Sequence, residues 1–506
     1  MKALQPPLSH RARLCRAALL IILGLATSQC IASVHVYLSN LGLHDKTQSL
    51  KDAGYLIVPN SHVLSSLLEL KTAVFGGFFF TLSIGVFLTL VSLFAAWLRR
   101  RDFAGRKALP AVLLVSWLTL LVALNLRGFT LGPSLYFLVV PPLVFGIASK
   151  WLFPEASGDH ARVSYLHALA PLLLALLWST QLGGSFFLDI RDNLLLTHSM
   201  GSRVNDFYYR YTLYPAEALK PTDQRLLKSV YLGRLQDGTI LPALQRELLK
   251  HDYLPVGKES LADLVLRNGS RELHFQSGGM SVLRVDAREF LSSSGTWLAA
   301  FSDKSDRARF FRKATLVSLI LGFPMFLYLL VYGILSFLIS LVVPSAKSPV
   351  PATMLCFVVG ALLFSLFVFS KASVDDAGKI DRALQSTDRR MRVAALKFVG
   401  KKGLDLTRYP AYRNLLESPF APEKYWLATA LGASRQPHTF KDLLTLLDDS
   451  EPTVVSAAFR ALGNRRDPAG IGHILTRIAI STDWYNQWNA YRSLKALGWK
   501  QSPSPR

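Results

Sequence analysis

Cysteine is scarce in this chain of 506 residues, and its positions exclude two kinds of site. The three cysteines, Cys15, Cys30 and Cys356, all lie within or beside apolar segments. The polar regions of the chain contain none. We therefore expect neither a disulfide framework nor a cysteine-based zinc site in the water-soluble parts of the protein.

The sequence motifs of the common enzyme classes are also missing. The chain contains no G-x-x-x-x-G-K-[ST], H-E-x-x-H, G-x-S-x-G, C-x-x-C or G-x-G-x-x-G pattern. Each of these patterns places the groups that bind a nucleotide, hold a metal or activate a nucleophile. We therefore expect no cofactor and no metal, and we favour a role other than catalysis.

Acidic residues are outnumbered, with 34 Asp and Glu against 57 Lys and Arg, so the formal net charge is +23. Much of the excess lies in short loops beside apolar segments, where Lys and Arg are typical topology signals of membrane proteins. For this reason we do not expect nucleic acid as a partner. The interiors of the apolar segments contain no charged residue, which argues against an ion path or proton relay.

Long hydrophobic runs are abundant, and 51% of the residues are hydrophobic. A helix needs about 20 apolar residues to cross the hydrocarbon core of a bilayer. The stretches that qualify are residues 17–38, 72–98, 108–126, 130–149, 165–188, 315–343 and 350–370. They predict a polytopic α-helical membrane protein with about seven spans, five in region 1–188 and two in region 314–371. The first stretch also resembles a signal peptide, but its apolar run continues past the small-x-small site at Cys30 and favours an uncleaved anchor.

The distribution of Lys and Arg between the short loops predicts the orientation. These residues are more frequent in segments 2–16, 99–107 and 150–162 than in the loops between them. The positive-inside rule therefore predicts a cytoplasmic N-terminus and places both soluble regions outside. A basic cluster at 307–313, on the predicted outer side, argues against this, but long loops translocate largely regardless of charge.

Residues 189–313 form a polar insert for which we predict a small α+β domain. Leucines and Val230 within 223–235, and the apolar residues of 241–249, have helical spacing. Strand-like runs follow at 261–266, 272–276 and 281–285. The first two of these strands are separated by Asn268-Gly269-Ser270, and Asn-Gly favours a tight hairpin turn.

A repeat occupies residues 375–500. Four segments end alike, at Gly400, Gly432, Gly463 and Gly498, and a second helix is predicted after each of the first three, at 411–416, 439–447 and 470–478. Apolar residues one and four positions before each glycine share a helix face, and the glycine can end the helix in the left-handed conformation. A period of this length is typical of a helical solenoid.

These units resemble HEAT-like repeats of the short bacterial type, which also occur in phycobilin-lyase-related proteins. The segment Glu451-PTVVSAAFRAL-Gly463 carries the resemblance best. The resemblance implies an all-α solenoid used as a docking surface. We therefore expect a protein partner to bind residues 375–500, and we expect the chain to lie in a bacterial cytoplasmic (inner) membrane with its soluble regions extracytoplasmic.

Two sets of residues are candidates for function. Asp189, Asp192 and His198 follow the fifth predicted span and could act as acid and base, although a solvated loop is the commoner role for such residues. Large aromatic residues in the repeats could be partner-binding anchors or solenoid core; they are Tyr425, Trp426, Trp484, Trp488 and Tyr491. An aromatic run at 207–214 could dock a ligand or fill a core, and the basic run 389–402 fits a solvated face or contact with anionic lipid.

Two functions follow from these features. The solenoid and the uncharged spans favour a membrane-anchored scaffold or assembly factor that contacts the lipid bilayer and a protein partner. The alternative is a membrane enzyme or transporter that acts on a lipid-linked substrate at the outer membrane surface, with its site at Asp189, Asp192 and His198.

Overall fold

A computed structural model describes residues 10–100, 108–152, 166–235, 240–268, 272–343 and 349–502. The protein is mostly helical and contains one five-stranded sheet within the described ranges. The chain forms two units, each built from separate stretches of sequence. The first unit comprises Met1–Val36, Ala73–Phe186 and Arg307–Leu366, and the second comprises Tyr37–Thr72, Phe187–Asp306 and Phe367–Arg506.

The helices fall into four groups along the chain. Those before the insert are α1 (His10–Asp52), α2 (Ser61–Leu64), α3 (Leu70–Phe80), α4 (Val86–Arg100), α5 (Ala108–Asn125), α6 (Leu131–Ile147), α7 (Leu166–Ser179) and α8 (Phe186–Ile190). Those of the insert are α9 (Ser199–Tyr211), α10 (Leu213–Leu219), α11 (Leu241–Lys250), α12 (Ala287–Ser292) and α13 (Ser294–Ser305). Two long helices follow, α14 (Arg309–Val342) and α15 (Pro349–Phe369). The C-terminal helices are α16 (Ile380–Leu384), α17 (Arg389–Lys402), α18 (Ala421–Leu431), α19 (Pro437–Leu446), α20 (Pro452–Arg465), α21 (Gly470–Ile480) and α22 (Trp484–Ala496).

Five helices among the described residues are long and apolar enough to cross a membrane. They are Arg11–Asp52, Leu70–Arg99, Leu131–Leu152, Arg309–Val342 and Pro349–Phe369. The third and fifth predicted spans correspond to shorter apolar helices, Leu109–Asn125 and Leu169–Ser179. The fifth is shorter than predicted because α7 ends before Gly183 and Gly184, which favour turns over helix. The number of spans remains a prediction.

The first unit packs its apolar helices through small and hydroxyl-bearing residues. Thr89 and Ser92 are buried, and each donates its hydroxyl hydrogen to the carbonyl of the residue four positions earlier, at 2.8 and 2.6 Å. This internal bond satisfies a polar group in apolar surroundings. A side chain at Gly24 would collide with Thr89, because an added Cβ would lie 2.4 Å from the threonine hydroxyl oxygen. Glycine at this position therefore allows α1 and α4 to approach closely.

The insert contains a mixed sheet in the order β2-β1-β3-β4-β5. Its strands are β1 (Lys228–Arg234), β2 (Tyr253–Pro255), β3 (Leu264–Asn268), β4 (Glu272–Ser277) and β5 (Met280–Asp286). Strand β1 pairs in parallel with β2 and β3, whereas β4 pairs antiparallel with β3 and β5. The last three strands follow the predicted strands closely, and residues 269–271 of the predicted Asn-Gly turn lie outside the described residues.

The helix predicted over 223–235 is wrong, because residues 228–234 form β1. Val230, Leu232 and Ser229 are all buried. Val230, Tyr231 and Leu232 form one short apolar run, and periodicity alone does not assign a run of this length to a helix or a strand. The apolar spacing of this short segment is therefore compatible with a helix as well as with the strand that forms.

A buried ion cluster lies at the start of β3, the central strand of this sheet. Lys46, near the end of α1, and Arg225 contact the Asp263 carboxylate at 2.7 and 2.6 Å, and the Ser229 amide donates to it at 2.9 Å. Burial alone would raise the pKa of Asp263, but the charges of Lys46 and Arg225 outweigh it and hold that pKa well below its usual value. Helix α1 therefore extends beyond its predicted span of 17–38, and its last turns are tied to the insert.

Two of the three predicted pairs of a first and a second helix are present in the C-terminal region, α18 with α19 and α20 with α21. The first helices, α17, α18, α20 and α22, pack side by side in one row. Helices α19 and α21 are the second helices of their units and pack behind this row. The second helix predicted at 411–416 is a short 3₁₀ turn, Pro410–Leu415.

Of the four repeated glycines, only Gly498 ends its helix in the left-handed conformation as predicted. Helix α17 continues past Gly400 and α20 continues past Gly463, and only Gly498 of the four has a positive φ, at 82°. An added Cβ at Gly432 would lie 3.0 Å from the Cα of Ala461, and one at Gly463 would lie 3.0 Å from the Cα of Ser493. These two glycines therefore allow successive first helices to approach closely. The sequence prediction assigned them to helix ends and did not include this packing role.

Substitution of Gly463 tests this packing role. Gly463→Ala should destabilise the protein by about 1–3 kcal/mol, because the added methyl group meets the backbone of α22. The control is Gly472→Ala in α21, where nothing lies within 4 Å of the added atom; this change should stabilise by about 0.5–1 kcal/mol through helix propensity. Denaturant unfolding of the purified chain in detergent measures both, and equal effects would contradict the packing role.

Candidate functional site

The two faces of the repeat region are buried to very different degrees. Ten of the fourteen residues of α20 and eight of the thirteen residues of α22 are buried. Only three of ten are buried in α19 and three of eleven in α21. A second helix thus buries one stripe against its neighbours, whereas a first helix is covered on two sides. The chain's own insert covers this row, together with the segment that carries Asn60, whose backbone amide donates to Gln487 of α22.

Helix α9 of the insert packs on α20 and α22, and aromatic side chains of α9 and α10 contact those of α22. The rings of Tyr209 and Tyr485 are 4.8 Å apart, and those of Tyr214 and Trp484 are 4.9 Å apart, both edge to face. Such pairs stabilise by about 0.5–1.5 kcal/mol beyond the area they bury. Burial raises the pKa of Tyr485 to about 12, so this hydroxyl stays neutral at physiological pH. The predicted aromatic run 207–214 therefore meets the aromatic residues of the repeats.

A second contact, between residues 189–192 and helices α17 and α18, is ionic. Asp192 is buried and accepts hydrogen bonds from Arg191 at 2.7 Å and from the indole Nε1 of Trp426 at 2.7 Å. Lys397 of α17 bridges the two predicted aspartates, with its Nζ 3.1 Å from both Asp189 and Asp192. Charge-assisted hydrogen bonds of this kind are the strong ones. We call this group, Asp189, Arg191, Asp192, Lys397 and Trp426, the aspartate junction.

Arg191 adds an aromatic contact to the aspartate junction. Its guanidinium carbon lies 3.9 Å from the centre of the Tyr425 ring, a cation–π distance. Tyr425 is buried, and its hydroxyl accepts a hydrogen bond from Arg460 at 2.8 Å. Both α17 and α18 are thereby fastened to the segment that follows α8.

The predicted acid–base group does not assemble as one site. His198 is the N-cap of α9, and its Nδ1 accepts a hydrogen bond from the Gly201 amide at 3.0 Å. In the part of the chain that the structure describes, no hydrogen bond or ion pair joins His198 to Asp189 or Asp192. The two aspartates contact cations and an indole N–H. Such contacts suit a structural or ligand-binding role better than acid–base catalysis.

The five predicted partner-binding residues serve contacts within the chain. Tyr425, Trp484 and Tyr491 are buried, and Trp426 and Trp488 are half-buried. The hydroxyl of Tyr491 donates to the Asp252 carboxylate of the insert at 2.8 Å. Trp488 contacts Lys220 and Arg492 through its ring, at 5.4 and 4.5 Å. Their role in partner binding remains a prediction, and three of them could reach a partner only after local rearrangement.

A cavity of about 280 Å³ opens beside the aspartate junction. One wall is the segment between α8 and α9, a second is the segment that follows α15, and a third is one face of α17. The lining residues are Asp189, Asp192, Asn193, Leu196, Thr197, Ser370, Lys371, Ala372, Ser373, Arg389, Arg390, Val393, Ala394, Lys397, Phe420, Pro422 and Glu423. Both predicted aspartates therefore line a real concavity, although His198 does not.

Residues 409–498 match the family model described as HEAT repeats. The C-terminal region is a HEAT-repeat region. No curated protein and no solved structure matches the chain. The helix pairs described above and the family match therefore agree on the architecture of this region.

No metal site is evident in the described parts of the protein, where no three His, Cys, Asp or Glu side chains converge on one point. Sequence reasoning missed Arg191, Lys371 and Lys397 as members of the site. Arg191 lies between the two aspartates in sequence, and this proximity could have identified it as a member of the site. Lys397 belongs to the basic run of the first HEAT repeat, and its position among the aspartates depends on the tertiary fold.

The aspartate junction makes a quantitative prediction about stability. Asp192→Asn should destabilise the protein by about 3 kcal/mol, because it leaves Arg191 and Lys397 partly buried without a full counter-charge. The matched control is Asp381→Asn on α16, where the carboxylate is exposed to solvent, and its effect should stay within about 0.5 kcal/mol. Unfolding of the detergent-purified chain measures both changes. A small effect at Asp192 would show that the junction does not hold the insert on the repeats.

Proposed function

We propose that this protein is a membrane-anchored scaffold whose HEAT repeats bind a protein partner. HEAT repeats are generally protein-interaction modules, and the five long apolar helices supply the means of anchoring. The observation that supports a docking role here is the unequal burial of the two repeat faces. The insert covers the first helices, whereas the outer side of the second helices is open.

The open side presents a defined surface, which we call the second-helix face. On α19 it exposes Pro437, Lys441 and Thr445, which are four positions apart and therefore share one side of the helix. On α21 it exposes Gly472 and Thr476 with the same spacing. The ring of Phe440 meets that of His473 at 5.9 Å, edge to face, and so joins the two helices.

The charge of the second-helix face favours an acidic partner. Arg435, Lys441 and Arg466 are exposed on or beside it. Asp448 is also exposed, but Arg477 pairs with it at 2.6 Å. Complementary charge across an interface accelerates association and selects among partners.

We further propose a bacterial cytoplasmic membrane as the location, with the N-terminus inside and the soluble parts outside. The bias of Lys and Arg in the short loops supports this orientation. The proposal of a docking face does not depend on which side of the membrane the repeats occupy.

The experiment is co-purification of the full chain from membranes in mild detergent, with two charge-matched double variants. Arg435→Glu with Lys441→Glu reverses the charge of two exposed cations on or beside the second-helix face. Lys401→Glu with Lys402→Glu makes the same change of charge at exposed positions at the end of α17. We expect a stoichiometric partner to co-purify with the wild type and with the α17 variant. The face variant should bind the partner at least tenfold more weakly, a loss of about 1.4 kcal/mol in binding free energy.

Two results would contradict this proposal. A full chain that purifies alone would argue against a scaffold. Equal retention of the partner by both double variants would exclude the second-helix face as the docking surface.

A second candidate is a membrane enzyme or transporter for a lipid-linked substrate at the outer membrane surface. The cavity at Asp189 and Asp192 is the observation that favours it. Both aspartates are engaged by lysines, and His198 caps a helix. The arrangement therefore supports ligand binding better than acid–base chemistry.

A further inference from the structure

The cavity beside the aspartate junction is lined with charge of both signs, and nearly all of it is paired. The Asp189 carboxylate contacts Lys397 at 3.1 Å and Lys371 at 3.5 Å. The buried Glu423 carboxylate contacts Arg392 at 2.6 Å and accepts a hydrogen bond from Ser418 at 2.6 Å. The lining carboxylates are therefore satisfied by the protein itself and do not need a cation.

The cations exceed the carboxylates around this cavity. The lining side chains and the ion-pair partners described for them include six cations, Arg191, Lys371, Arg389, Arg390, Arg392 and Lys397, and four carboxylates, Asp189, Asp192, Asp388 and Glu423. The excess is two positive charges. A concave, partly desolvated site with this balance favours an anion.

Arg389 is the cation available to a ligand. It is half-buried at the start of α17, and its guanidinium carbon lies 5.1 Å from the centre of the Phe420 ring. Among the described residues it has no carboxylate partner, in contrast to Arg390, which pairs with Asp388 at 3.0 Å. A planar guanidinium with free N–H groups matches the oxygens of a phosphate group bidentately.

The volume of the cavity limits the size of the ligand. A cavity of about 280 Å³ lies near the lower end of the range of small-molecule sites, about 300–1,000 Å³, and so suits a small group such as a phosphate with a small alcohol attached. Anything larger must extend out of the mouth.

The chain segments that build the cavity point to a lipid as the source of the phosphate. The wall at 370–373 follows directly after α15, one of the helices apolar and long enough to cross a membrane. The wall that ends at Thr197 leads into α9, whose outer side exposes Met200, Val204, Phe207 and Tyr208. These residues form one stripe of an amphipathic helix, as in helices that lie in the membrane interface.

We propose that this cavity binds the phosphate group of an anionic phospholipid headgroup, with Arg389 and Lys371 as its cationic contacts. The proposal rests on the membrane anchoring in the proposed function and is independent of the protein partner. Its test uses short-chain lipids in solution, so that binding can be measured whether or not a partner is found.

The experiment is calorimetric titration of the full chain in an uncharged detergent. The probes are dihexanoyl phosphatidylglycerol, dihexanoyl phosphatidylcholine and inorganic phosphate. We expect saturable binding of one phosphatidylglycerol, with a Kd at least tenfold lower than that of phosphatidylcholine. Arg389→Gln should weaken phosphatidylglycerol binding about tenfold, the size of one lost charge-assisted hydrogen bond.

The control variant is Arg382→Gln, which makes the same chemical change at an exposed position on α16 outside the cavity. It should bind phosphatidylglycerol like the wild type. Arg389→Gln removes no ion pair and only one exposed cation–π contact, with Phe420, so its thermal unfolding midpoint should lie close to that of Arg382→Gln, and a loss of binding then reports on the site.

Three outcomes would overturn the proposal. Equal binding of phosphatidylglycerol by Arg389→Gln and the wild type would exclude the cavity as the site. Equal affinity for the two lipids would exclude recognition of net negative charge. Inorganic phosphate bound as tightly as phosphatidylglycerol would assign the cavity to free phosphate, whereas weak competition at millimolar concentration supports a headgroup.

Discussion

The packing of the insert on the row of first helices is the contact on which the rest of the second unit depends. It combines an aromatic half, centred on Tyr209 and Tyr485, with an ionic half, centred on Asp192 and Lys397. Because the insert covers this side, a partner that binds the HEAT repeats without displacing it must use the second-helix face. The same contact brings the segment before α9 against α17 and so creates two walls of the cavity.

Local patterns predicted much of the fold, and the failures have physical causes. The period of the glycines predicted the repeats, and alternation predicted the last three strands of the insert. The pattern failed at β1, where the short apolar run of Val230, Tyr231 and Leu232 does not by itself distinguish a strand from a helix. It also misassigned Gly432 and Gly463, because a glycine that allows close helix packing and one that ends a helix look alike in sequence.

The candidate site was predicted only in part, because its chemistry depends on residues distant in sequence. Asp189 and Asp192 were identified as a pair, and they do line a cavity. Lys397 and Trp426, which engage them, lie more than 200 residues further along the chain. Of the five aromatic residues predicted as possible partner anchors, Tyr425, Trp484 and Tyr491 are buried. Their contacts with Arg191, Tyr214 and Asp252, respectively, account for this burial.

The central claim is that the insert and the first helices of the HEAT repeats are held together by direct side-chain contact. A double-mutant cycle between Tyr209→Leu and Tyr485→Leu, measured by denaturant unfolding of the full chain in detergent, tests it most directly. The two rings are in contact, so their effects should not add, and a coupling energy of about 0.5–1.5 kcal/mol is expected. Strictly additive effects, with a coupling below about 0.3 kcal/mol, would show that α9 does not pack on α22 and would contradict the account.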